Sequence, residues 1–126
     1  MKKLLLASII GLMSITPSYA ACNGGTEVTN TAGTTFCKSN VALNWWSAAA
    51  WCKANGLQLA TMYEMCPSWD GNTGSGKCPE LNGKGDGYAW SATARGSESA
   101  FHVSLSNGYV NNTTGFRHID NSAFCR

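Results

Sequence analysis

Apolar positions fall into distinct patterns along the chain, and each predicts an element. The first is an apolar run, Leu4 to Ile15, behind Lys2 and Lys3. Over Asn44 to Asn55, Trp45, Ala48, Ala49 and Cys52 recur at i, i+3, i+4 and i+7, the stripe of an amphipathic helix. Asn44 is a suitable N-cap and Gly56 a suitable residue just past the C-terminus. "GLQLAT" then alternates briefly at Leu57 and Leu59. Thr61 and Glu64 form a T-x-x-E capping box opening a second, short helix that Pro67 ends.

The remaining segments read as strands and loops. Ala21 to Lys38 carries β-branched residues around Asn30 to Gly33 and predicts a hairpin. Cys66 to Gly87 holds six glycines and two prolines and predicts a long irregular loop. Loops of that length are often functional. "YAWSAT" (Tyr88 to Thr93) alternates. "AFHVSLSNGYV" places Phe101, Val103 and Leu105 on one side and His102 and Ser104 on the other, the outer one. Asn107-Gly108 is a type I′ hairpin signal with Tyr109 and Val110 starting the return strand. "AFCR" predicts a short terminal strand.

The first apolar run is too short to cross a bilayer comfortably, and Ser18-Tyr19-Ala20 offers the small residues of a cleavage site. Residues 1–20 therefore read as a signal peptide cleaved after Ala20, and 21–126 as one exported domain. The leader is bacterial in character, so the expected location is the periplasm, the cell surface or the exterior. Ala20-Ala21-Cys22 resembles the tail of a lipobox, but Tyr19 stands where leucine is usual. Lipidation would also leave an odd number of cysteines.

Setting Lys2 and Lys3 aside leaves seven basic residues against seven acidic ones. No basic patch is visible, which argues against nucleic acid and anionic membrane as partners. No later segment is apolar enough to span a membrane. The six cysteines, at 22, 37, 52, 66, 78 and 125, form an even set in a small exported chain and read as a disulfide framework. Cys22 and Cys37 bracket the first hairpin, and Cys66 and Cys78 bracket half of the long loop. Six cysteines still permit about fifteen pairings. The absence of a C-x-x-C pair argues against zinc.

"NWWSAAAWCKANGLQLAT" resembles the signature of the C-type lectin-like domain: an aromatic, alanines and a cysteine on the first helix, then Gly-x-x-Leu-Ala and a second helix. "FCR" resembles that family's last strand, and "YAWSAT" with the strands after it is similar to the compact bacterial and phage versions. The likeness runs from about Cys22 to Arg126. It implies an α+β C-type lectin-like fold, two helices packed on short antiparallel sheets with a long Gly-rich loop, stapled by disulfides. It implies Cys52–Cys125 as the bridge from first helix to last strand, and Cys22–Cys37 as the extra N-terminal bridge. Cys66–Cys78 is then left over as a local clamp, a departure from the family. The family's calcium motifs, Glu-Pro-Asn or Gln-Pro-Asp and Trp-Asn-Asp, do not occur. Asp70, Glu80 and Asp86 are scattered in the loop, so neither a metal site nor a cofactor is expected.

Candidate ligand residues lie in two places. Trp69, Asp70 and Asn72 sit in the Gly-rich loop, where no periodicity explains Trp69. It either stacks on a ligand or packs under the loop. Tyr109, Asn111, Asn112, Arg117 and His118 sit on the last hairpin and loop, with the polar and aromatic composition of adaptable binding surfaces. An ordinary solvated loop has the same composition. Asn112-Thr113-Thr114 matches a glycosylation acceptor that a bacterial context leaves idle. His102 and His118 have no nucleophile motif beside them, so no enzyme is expected. The expectation is a calcium-independent module binding an extracellular glycan or protein, as a monomer or within a larger assembly. The alternative is a structural or minor subunit of a pilus or cell-envelope assembly.

Overall fold

The computed structural model describes residues 22–71, 76–114 and 119–126, with the side chains of 112–114 left aside. Among these residues seven strands form one mixed sheet: β1 (Gly25–Thr29), β2 (Thr35–Leu43), β3 (Gly76–Lys77), β4 (Tyr88–Ala94), β5 (Ser99–Ser104), β6 (Tyr109–Thr114) and β7 (Asn121–Cys125). Their order across the sheet is β1-β2-β7-β4-β5-β6-β3. One ten-residue helix, α1 (Trp45–Ala54), packs on it, and α2 (Met62–Met65) is a single turn.

This overturns the expected two helices on short antiparallel sheets. Thr61 and Glu64 do form the capping box, the Glu64 amide donating to the Thr61 hydroxyl at 3.1 Å and the Thr61 amide to the Glu64 carboxylate at 2.8 Å. The helix they start ends after four residues at Cys66, which is bridged to Cys78, with Pro67 following. One turn gains too few hydrogen bonds to form a layer. The strands merge because β7 pairs antiparallel with β2 and parallel with β4, where Ala89 meets Ser122.

The sheet is covered on both faces. On one, Phe36, Phe124, Met62, Met65, Trp69, Leu81, Phe101 and Val103 make a continuous core. Phe36 and Phe124 stack at 4.6 Å between ring centroids. On the other, Ala48 and Cys52 of α1 pack against Trp90, Ala100, Ala123 and Cys125. Small side chains on α1 let the helix axis approach the sheet closely. Asn44 caps it, its side-chain oxygen accepting from the Ser47 amide at 2.8 Å, and Gly56 leaves it at φ +74°. Trp45 is half-buried and donates its indole N–H to the Ser91 carbonyl at 2.9 Å. Trp46 faces solvent.

Three disulfides join Cys22 to Cys37, Cys52 to Cys125 and Cys66 to Cys78, across separations of 15, 73 and 12 residues. In the chain-entropy account, the bridge from α1 to β7 contributes about 4 kcal/mol and the short loop bridge about 3 kcal/mol.

Two further expectations change. The loop from Cys66 to Gly87 is partly regular: Gly76–Lys77 add to the sheet edge as β3, and Pro79–Leu81 form a 3-10 turn that buries Leu81. Asn107-Gly108 is not a two-residue hairpin turn. The ladder pairs Val103 with Val110, so the connection is longer and Gly108 lies at its end. The Gly108 amide closes that turn on Ser104 O at 2.7 Å, and bonds from the long loop brace it. The Cys78 amide donates to Gly108 O at 2.7 Å, and the Lys84 amide to Leu105 O at 2.8 Å.

Candidate functional site

Strand alternation separates the residues expected to share a ligand surface. Trp69 is 7% exposed. Its ring lies 5.0 Å from that of Tyr63 and 4.9 Å from that of Phe101, on the core face of β5. It is pulled inward because the Cys66–Cys78 bridge and a turn from the Trp69 amide to Cys66 O, 2.9 Å, draw the loop back over Met65 and Leu81. Glu80 fixes the same loop by accepting from both the amide and the hydroxyl of Ser68, at 3.0 and 2.9 Å. The role of Trp69 as a stacking residue is therefore corrected: it belongs to the core, and its indole N–H is buried without a partner among the described residues. Asp70 is exposed beside it.

Tyr109 and Asn111 lie on the opposite face. Asn111 is the ladder partner of His102, whereas Asn112 is the partner of Phe101. Asn72, Arg117 and His118 lie outside the described residues. Trp69, packed on Phe101, therefore does not share a surface with Tyr109 and Asn111, because neighbouring residues on a strand point to opposite sides.

The face carrying Tyr109 and Asn111 has a distinct build. Tyr88 is paired with Ser104, Trp90 with His102, His102 with Asn111, and Lys77 with Tyr109. One row across β4, β5, β6 and β3 therefore runs Tyr88, Ser104, Tyr109, Lys77, and a second runs Trp90, His102, Asn111. Helix α1 covers Trp90 but not the first row. Tyr88 is 43% exposed and Tyr109 48%, while Ser104 between them is only 4% exposed. The Lys77 ammonium sits 4.9 Å from the Tyr109 ring centroid.

His102 lies on the face its alternation implied, opposite Phe101, but it is buried there. All six residues of β5 are buried, so both sides of this strand are covered. Its ring meets Tyr88 at 5.2 Å and Trp90 at 5.6 Å, edge-on to both. Burial pushes its pKa below the ordinary 6.5, against a smaller opposing effect of the Ala100 backbone. That burial favours the neutral form of the imidazole over the charged one. The sequence analysis placed His102 and Ser104 on the outer side of their strand but did not single out Tyr88 as a candidate. Its signal was the alternation Tyr88-Trp90 in YAWSAT.

Two clefts lie elsewhere. One of about 320 Å³ sits beside the first two disulfides, between Phe36, Leu57 and Arg126. The other, of about 570 Å³, lies along α1 between Trp45, Lys53 and Leu59. Arg126 pairs with Glu64 at 3.1 Å across an exposed surface, a contact worth at most about 1 kcal/mol. Among the described residues no group of three or more His, Cys, Asp or Glu is placed to hold a metal ion. None of their helices is long and apolar enough to cross a membrane. Comparison of the chain with family models, curated proteins and solved structures finds no match.

Proposed function

We propose that this chain is an exported binding module that recognises a glycan or protein ligand without calcium, through the sheet face bearing Tyr88, His102, Tyr109 and Asn111. The observation that carries this reading is the pair of exposed tyrosines on either side of a closed polar floor. Rigid aromatic rings present large contact area at low entropic cost, and neighbouring amides and hydroxyls supply direction. Regular strands hold these groups more firmly than loops would. Three disulfides fit an oxidising compartment, in keeping with the leader read in residues 1–20. The resemblance of "NWWSAAAWCKANGLQLAT" and "FCR" to C-type lectin-like proteins supports a binding role. The architecture is the seven-stranded mixed sheet with α1 packed on it, described above.

A glycan array probed with the oxidised protein, in calcium and in chelator, tests the reading. Binding that survives chelation and is lost in Tyr109→Ala supports it. Binding abolished by chelation, or unchanged in Tyr109→Ala, contradicts it.

The subunit reading has one specific observation behind it. The first hairpin's hydrogen bonds to β2 run to Asn40, whose amide donates to Gly24 O at 3.1 Å, and Val41 beyond it is 54% exposed. An open apolar edge is a place for another chain to add a strand. Self-association that Val41→Lys abolishes would favour that reading.

A further inference from the structure

Resting on that reading of the face, we infer that the ligand is an extended, uncharged, β-linked polysaccharide lying across the strands, with Tyr88 and Tyr109 beneath alternate sugars. The ladder gives the spacing. Tyr88 pairs with Ser104 on β5, and β6 follows with Tyr109, so the tyrosines stand two strands apart. That is about 9.6 Å, twice the strand separation. An extended β1→4-linked chain repeats after two sugars over a comparable length and turns the same ring face to one side at each repeat. Both tyrosines then meet equivalent apolar sugar faces. An α1→4-linked chain coils and does not keep that register.

The surface between the rings excludes a pocket ligand. Ser104 is nearly covered, and its hydroxyl lies 3.1 Å from that of Ser106. No slot opens there for a single inserted group. A ligand that is broad and flat fits such a surface, and Ser106 and Asn111 at its margins offer partners for ring hydroxyls. The row carries no carboxylate, and its one charge is already engaged. Lys77 is the single charged residue of the row, and its ammonium is held over the ring of Tyr109. Its position takes one side of that ring, which remains half-exposed for the sugar.

The test is calorimetric titration of the oxidised full-length mature chain with β1→4-linked oligomers of glucose and of N-acetylglucosamine. Two, four and six sugars are compared, with an α1→4-linked glucose hexamer as control. The expected result is an affinity for one β-linked series that rises about tenfold from two sugars to four, the size of one added aromatic contact. Tyr88→Ala and Tyr109→Ala should each return the tetramer to the affinity of the dimer, with unchanged thermal unfolding. Affinity independent of length, or equal for the α-linked hexamer, overturns the inference. If the array instead yields a branched or charged glycan, or a protein, whose binding Tyr109→Ala abolishes, this inference fails while the face remains the site. If the β-linked hexamer binds and neither tyrosine matters, both fail.

Discussion

The indole of Trp69 meets the ring of Phe101 edge to face at 4.9 Å, beneath the glycine-rich loop. This contact turns the loop from a free surface into a lid on the core. Met65, Cys66 and Cys78 complete the packing.

Trp69→Ala is therefore expected to destabilise the protein by about 3–5 kcal/mol, as for other large aromatic truncations in cores. Denaturant unfolding of the oxidised protein checks it. Trp69→Phe should cost much less, since among the described residues the buried indole N–H has no partner to lose. A stable Trp69→Ala variant would place the residue outside the core.

Gly108 makes a second test of the packing between the long loop and the last hairpin. Its φ is +76°, and a Cβ there would lie 2.6 Å from the carbonyl oxygen of Cys78. Gly33 has a similar φ, +91°, with nothing near it. Gly33→Ala should then cost about 1–2 kcal/mol, the backbone penalty alone. Gly108→Ala should cost more, because backbone must also shift. Equal losses in thermal or denaturant unfolding would mean that the loop yields freely.

His102 gives a pH dependence with a defined sign. Burial lowers its folded-state pKa below 6.5. The unfolded chain then binds the proton more tightly. Stability is full above about 6.5, falls as pH drops through that value, and stops falling below the folded-state pKa. Thermal unfolding from pH 8 to 4 should show this loss, and His102→Gln should flatten the part of the curve just below 6.5. An unchanged curve in the variant would show that the imidazole gains no proton on unfolding.

Local features were legible because they depend on neighbours in the chain. Asn44 and the Thr61–Glu64 box cap their helices by bonds spanning three residues. The first hairpin turns at Gly33 for the same reason. The sheet was not legible. β7 sits between β2 and β4 through bonds to segments far away in sequence, and alternation alone does not say which strands adjoin. His102 illustrates the consequence. Its alternation correctly puts it opposite Phe101, but both faces of β5 are covered, so the opposite side is not solvent. Tyr88 and Trp90 share a face, and only the reach of α1 makes one exposed and the other buried. Of the candidate site, Tyr109 and Asn111 fall on the proposed face, whereas Trp69 falls behind the sheet.

The most direct test of the proposed face is backbone amide shift mapping by NMR, with the tightest-binding ligand from the array titrated into the ¹⁵N-labelled, oxidised protein. The account predicts perturbations concentrated at Lys77, Tyr88, His102, Ser104, Tyr109 and Asn111, with little change at Trp69 to Gly71. Perturbations centred on Trp69 to Gly71, or on the cleft at Cys22 and Leu57, would contradict it.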